Sequence, residues 1–189
     1  GCLLEAFAGA SAMITEPQMQ SLARRIAQCS RLSGSFTLRS GRVSDTYFDK
    51  YRFEADPTLL RDIAAAMLTL VPKETEVLTG LEMGGIPVVI MLSQCTGLPA
   101  AFIRKLPKTY GTCQYVEGTP LNGKRFVLVE DVVSSGGAIL EAVRMLRADG
   151  LNPRVALCVI DRQTGGREAL FQSRIELHAL LTYTEVEGA

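Results

Sequence analysis

Two adjacent carboxylates, Glu130 and Asp131, close a short apolar run, Phe126–Val129, and stand just ahead of the small-residue stretch Ser134, Ser135, Gly136, Gly137 and Ala138. The acids do not suit a phosphate, because like charges repel. They suit groups that donate hydrogen bonds, such as sugar hydroxyls, or a hydrated Mg²⁺. The small residues let the backbone turn tightly and approach a ligand closely. A helix starting at that turn offers unpaired N–H groups and the positive end of its dipole to a phosphate. A phosphate beside a diol describes a ribose 5-phosphate. The turn is neither a GxxxxGK[ST] P-loop nor a GxGxxG fingerprint. The plain alternative is an ordinary strand-to-helix turn whose acids happen to be exposed.

The elements around this stretch must place it. Phe126–Val129 reads as a buried strand. From Ala138 to Gly150 apolar residues recur at Ile139, Leu140, Val143, Met145 and Leu146, which predicts an amphipathic helix. A second unit of the same kind comes earlier: a strand over Glu76–Thr79, the turn GLEMGGIP containing Met83 and Gly84, and a helix of about ten residues from Ile86. It predicts a second phosphate cradle on the same sheet edge, or a glycine-rich turn without a ligand. Further helices are expected over Pro17–Ser30, Asp56–Leu70 and Gly166–Phe171, and strands over Pro99–Ile103, Arg154–Ile160 and Ile175–Leu181. Asp56 is a plausible cap, with Pro57 in the first turn. This alternation predicts an α/β fold, a mostly parallel sheet with helices on both faces.

Two other stretches carry charge in useful places. The segment from Leu32 to Phe53 is strand-like, broken at Gly34 and Gly41, with Arg39, Arg42 and Lys50 near Tyr47 and Phe48. Cations beside aromatics can sandwich a flat anionic ring; a hairpin with a solvated basic face is the alternative. Residues 104–123, RKLPKTYGTCQYVEGTPLNG, concentrate Arg104, Lys105 and Lys108 in a long loop that Pro107, Gly111 and Gly118 keep from being a regular helix. Long polar loops in small domains are often functional.

Composition narrows the class. The chain has 189 residues, enough for one domain with a substantial core. Its 20 basic and 20 acidic residues balance, so composition lends no support to nucleic-acid binding. No apolar run approaches the roughly 20 residues of a membrane span. The five cysteines are scattered with no CxxC pair, which fits a reducing, cytoplasmic compartment, and Cys95 and Cys158 read as core residues. The single histidine, His178, reads as a strand residue. One histidine excludes His-cluster metal sites and makes a Ser–His triad improbable. Residues 1–16 read as an N-terminal extension or expression remnant, and 17–189 as one domain.

EDVVSSGGA resembles the phosphoribosyl pyrophosphate (PRPP) motif of type I phosphoribosyltransferases. SGSFTLRSGRVSDTYFD and RKLPKTYG resemble the N-terminal segment and the catalytic loop of orotate phosphoribosyltransferases. The resemblance runs from about Pro17 to Glu185. It implies a core over 56–185 and a small hood, mainly 17–55, covering the base. It implies that Glu130 and Asp131 hold the ribose hydroxyls, and that Val132, Val133, Ser134, Ser135, Gly136, Gly137 and Ala138 hold the 5'-phosphate. Arg39, Met83, Gly84, Arg104, Lys105, Lys108 and Tyr110 would contact PRPP; some family members have a lysine where Gly84 stands. Arg162, in a DRxxGG pattern, would bind orotate with Ser134, Tyr47 and Phe48. Tyr110 occupies a position that many members fill with histidine.

The reaction so implied is orotate plus PRPP giving orotidine 5'-monophosphate and pyrophosphate. Transfer at C1 passes through an oxocarbenium-like state, and the nucleophile is already an anionic ring, so no protein nucleophile is needed. The charge to offset develops on pyrophosphate, and Mg²⁺ with Arg104, Lys105 and Lys108, as catalytic residues with Asp131, would offset it. Mg²⁺ would be held mainly through PRPP, and through water to Glu130 and Asp131. The resemblance also implies a homodimer whose catalytic loop reaches the neighbouring subunit, and a mobile loop that excludes water. Three other readings remain: a phosphoribosyltransferase for another base, a PRPP-sensing regulator that binds nucleic acid, and one half of a bifunctional pyrimidine enzyme.

Overall fold

The computed structural model describes residues 14–38, 40–107 and 114–189. Helix α1 (Glu16–Ser30) starts where Thr15 and Gln18 form a reciprocal capping box, with Pro17 in the first turn. Strands β1 (Arg31–Thr37) and β2 (Val43–Phe48) pair only with each other, antiparallel, with Leu32 opposite Tyr47. A short helix α2 (Tyr51–Ala55) follows. It takes Phe53 out of the expected strand and buries it completely. Helix α3 (Pro57–Met67) begins as expected, with the Asp56 carboxylate accepting from the Thr58 and Leu59 amides. Its expected last turn, Leu68–Leu70, is a separate 3₁₀ turn.

The remaining chain builds the main sheet: β3 (Val77–Leu81), α4 (Gly85–Thr96), β4 (Ala100–Ile103), β5 (Val116–Gly118), β6 (Phe126–Val133), α5 (Gly137–Ala148), β7 (Val155–Asp161), α6 (Gly166–Gln172), β8 (Glu176–Thr182) and α7 (Tyr183–Glu187). The strand order is β5-β4-β3-β6-β7-β8, parallel except for β5. The expected parallel sheet is therefore present. Three details differ from expectation. The basic loop returns as a short antiparallel strand, β5. Strand β6 continues through the acidic pair to Val133. Helix α7 was not anticipated.

Period-two alternation sends β6 residues to two apolar layers. Val127 and Val129 pack with α1, α3 and α4, through residues such as Leu22, Ile26, Ile63, Val88 and Leu92. Leu128 packs with α5 and α6, through Ile139, Leu146 and Leu170. Helix α1 thus belongs to the same layer as α3, while the β1–β2 ribbon stands apart from the sheet. Cys158 is fully buried and Cys95 half-buried, as expected for core cysteines. His178 is a strand residue whose Nδ1 meets the Leu70 carbonyl at 3.0 Å and whose Nε2 meets Glu176. No described helix is long and apolar enough to cross a membrane.

Candidate active site

In an open parallel sheet, ligands bind beyond the carboxyl ends of the strands. Four such ends carry the chemistry here. β3 leads into Glu82, Met83 and Gly84, β4 into Arg104 and Lys105, β6 into Ser134–Gly136, and β7 into Arg162. The register sets them side by side: Leu81 faces Ile103, and Val133 faces Asp161.

The loop after β6 has the form a phosphate needs. Gly136 caps α5 in the left-handed region (φ 77°), and no side chain occupies the helix N-terminus. Ser134, Ser135, Gly137 and Ala138 are exposed, while Gly136 is buried. The loop rests on Gly166, where a Cβ would come within 2.4 Å of the Ser134 carbonyl oxygen. The Arg162 amide donates to the Val133 carbonyl at 2.8 Å, which ties the β7 end to the loop.

The turn after β3 is equally tight. Gly84 begins α4 without a side-chain cap. A Cβ on Gly85 would lie 2.3 Å from the Val129 oxygen, and one on Gly84 would lie 1.9 Å from Asp131 Oδ2. Glycine at these positions is a steric requirement of the turn's approach to β6. Met83 is exposed beside it.

The acidic pair lies deeper than expected. Asp131 is wholly buried and Glu130 nearly so. Asp131 Oδ1 accepts the Val132 amide at 2.7 Å, and Lys50 Nζ stands 2.7 Å from Oδ2. Glu54, from α2, joins this group and is also buried. Burial, then the hydrogen bond and charge of Asp131, push the Glu54 carboxyl up to about 9. Burial and the Asp131 charge also raise Glu130 well above the carboxylate range. Asp131 is held below its ordinary value: burial opposes this, but hydrogen bonds with Glu54, Glu130 and Lys50 outweigh it. Three carboxyl groups thus share one ammonium, and Asp131 carries the negative charge. Glu54 was missed as a site residue, and Lys50, read as a cation beside the aromatics, was not placed with the acidic pair. Their only signal was a cation and an acid four residues apart, at the end of the stretch read as strand-like and just beyond it.

The cation loop is anchored at its base. Ile103 pairs with Val116, and the Arg104 amide donates to the Tyr115 carbonyl. The Lys105 amide donates to Glu82 Oε2 at 2.8 Å, another contact that the sequence did not announce. Tyr115 Oη donates to Asp149 at the end of α5. Arg39, Lys108 and Tyr110, expected at the site, lie outside the described residues.

The aromatic pair divides between two surroundings. Tyr47 and Phe48 are consecutive on β2, so their side chains leave opposite faces of the ribbon. Tyr47 is exposed and stacks on Phe36 (centroids 5.5 Å apart). Phe48 turns inward and meets Tyr183 edge-on at 5.7 Å. The Arg162 guanidinium in turn lies over Tyr183, 4.3 Å from its centroid. Phe48, Tyr183 and Arg162 therefore form one group. Tyr183 was missed because α7 was.

For a divalent cation, the donor set offers carboxylate oxygens, the hard ligands Mg²⁺ prefers. Asp131 Oδ2 has the Lys50 ammonium beside it, at 2.7 Å. Among the described residues no three His, Cys, Asp or Glu side chains are grouped to hold a metal between them. The pair therefore fits Mg²⁺ as an auxiliary to a phosphate-bound ion.

An acidic strand end, an uncapped helix start and a second glycine turn on one sheet edge define a phosphoribosyltransferase site, and the family model for the phosphoribosyl transferase domain matches residues 52–171. The chain belongs to the orotate phosphoribosyltransferase family. It is 46% identical over 169 residues to the orotate phosphoribosyltransferase of Nocardioides sp., covering 89% of this chain and 94% of that one. It is 40% identical over 155 residues to that of Methanocella arvoryzae, covering 82% and 89%. The Mycobacterium tuberculosis orotate phosphoribosyltransferase, solved with PRPP, superposes with a TM-score of 0.76 at 26% identity, over 89% of this chain and 98% of that one.

Proposed function

We propose that this protein transfers the 5-phosphoribosyl group of PRPP to orotate, releasing pyrophosphate and orotidine 5'-monophosphate on the route to UMP in the cytoplasm. The observation that carries the reading is the joining of the β6 loop to Arg162 through the Val133 carbonyl, which sets a phosphate cradle beside a cation for an anionic base.

The 5'-phosphate sits in the loop from Val132 to Ala138, at the α5 N-terminus. Glu130 and Asp131 take the ribose hydroxyls. The Met83–Gly84 turn takes pyrophosphate through its backbone. Arg104, Lys105 and Lys108, with Arg39 and Tyr110, complete the anion's surroundings. Orotate lies against Arg162, near Ser134, under a hood formed mainly by residues 17–55, with residues 56–185 as the core. Phe48 supports Arg162 through Tyr183. Mg²⁺, held mainly by PRPP and through water by Glu130 and Asp131, supplies charge neutralisation of the leaving pyrophosphate.

The protein works as a homodimer whose catalytic loop is shared between subunits. Support comes from the surface of α4: Met83 and Ile90 are exposed, with half-buried Ile86 and Pro87 between them. Equilibrium sedimentation giving a monomer mass at assay concentration would sink that part.

The test of the activity is orotate consumption, followed by ultraviolet absorbance, with PRPP and Mg²⁺. Turnover with orotate and none with adenine, hypoxanthine or uracil is expected. PRPP binding without turnover would replace this reading with a regulator or another base.

A further inference from the structure

The acidic residue assigned to the ribose is already occupied. Lys50 Nζ stands 2.7 Å from Asp131 Oδ2, and Oδ1 is taken by the Val132 amide. Asp131 has no exposed side-chain surface, whereas the Lys50 side chain keeps 35% of its own. Lys50 therefore lies on the open side of the pair. Oδ2 is also the atom that a Cβ on Gly84 would strike, so the ammonium, the buried acid and the pyrophosphate turn meet at one point.

A structural ion pair alone accounts poorly for this arrangement. Burying a carboxylate is costly, and an ion pair offsets that cost only in part. An apolar end to β6 would avoid the cost altogether. A cation placed beside both the ribose acid and the pyrophosphate turn has a second use when both ligand groups arrive together. The ribose hydroxyl supplies Asp131 with a donor, and the displaced ammonium then has an anion next to it.

We propose that Lys50 is a pyrophosphate-binding residue: on PRPP binding it passes Asp131 to the ribose hydroxyl and takes an oxygen of the pyrophosphate group. This rests on the PRPP reading above. The exchange leaves Asp131 with two neutral donors, the ribose hydroxyl and the Val132 amide, and gives the ammonium a new anion. It also links the hood side of the site to the ligand, because Lys50 sits between β2 and α2. The missing side chain of Gly84 lets the turn come up against the Asp131 carboxylate that Lys50 contacts.

The experiment is calorimetric titration of the full chain with PRPP plus Mg²⁺, with pyrophosphate plus Mg²⁺, and with ribose 5-phosphate, for wild type, Lys50→Met, Lys50→Gln and Lys50→Arg. Lys50→Met is expected to weaken PRPP and pyrophosphate about 10- to 100-fold, the scale of one hydrogen bond to a charged group, and ribose 5-phosphate no more than about threefold. Lys50→Gln, which keeps a donor for Asp131 but no charge, should lose as much as Lys50→Met. Lys50→Arg should recover most of the affinity. Melting curves accompany each variant, and the Gln and Arg variants decide the matter where Met unfolds the site. Equal losses on PRPP and ribose 5-phosphate, or wild-type affinity in Lys50→Gln, would overturn the proposal and leave Lys50 as a support for Asp131. Wild type that ignores PRPP would remove the substrate reading itself, and this one with it.

Discussion

Arg162 and Tyr183 are held together as a cation over a ring, 4.3 Å from guanidinium carbon to centroid, although they come from β7 and α7. Tyr183 braces the guanidinium, and Phe48 braces Tyr183. Arg162→Ala should raise the KM for orotate by about 10- to 100-fold, the worth of a charged hydrogen bond, with the KM for PRPP little changed. Tyr183→Leu should give a smaller rise, about 2- to 10-fold, matching a cation–π contact. Steady-state kinetics with each substrate varied decides it; a matching rise for PRPP would show that Arg162 serves the phosphate side instead.

Lys108→Ala should lower kcat about 100- to 1000-fold, by analogy with removal of one preorganised donor. PRPP binding should persist, as read by calorimetry. A variant with near wild-type turnover would take Lys108 out of the chemistry.

Gly166→Ala should disturb the phosphate loop from beneath, since its Cβ would lie 2.4 Å from the Ser134 oxygen and 2.7 Å from Val133 Cγ1. Overpacking of this kind costs about 1–3 kcal/mol. A lower Tm together with weaker ribose 5-phosphate binding is expected. An unchanged affinity would mean that the loop does not depend on this floor.

Stability should fall toward alkaline pH through Glu54. Its folded value is raised to about 9 from the ordinary 4.5, so the protonated form is favoured by folding. That contribution is fully present below about 4.5 and is lost as pH rises toward 9. Denaturant titrations between pH 5 and 9 should show a decline in wild type that is smaller in Glu54→Gln. Parallel curves for the two proteins would contradict the assignment of the proton to Glu54.

Tyr110 does not titrate near neutrality, so the acid limb of kcat should lack an ionisation near pH 6.5 from this position. Tyr110→His should introduce one. An unaltered profile in the variant would place residue 110 away from the proton-sensitive step.

The βα alternation was legible because each strand is an apolar run and each helix has an apolar face, signals that packing reinforces. The phosphate loop was legible because glycines at a strand end have few other uses. The Lys50–Asp131–Glu54 group was not legible, since Lys50 precedes α2, Glu54 lies in α2 and Asp131 in β6, and only the folded chain brings them together. The different surroundings of Tyr47 and Phe48 follow from geometry: adjacency in sequence is opposition on a strand. α7 is five residues long, too short for periodicity to register.

Gly84 has a consequence for the chain's history. Any side chain at position 84 would begin inside the present position of the Asp131 carboxylate. A substitution there is therefore not available one step at a time while Lys50 holds that carboxylate in place. Residues 50 and 84 should change together among relatives, and an alignment in which they vary independently would break the coupling. Contact through the Asp131 carboxylate joins these two positions, although 33 residues separate them in the chain.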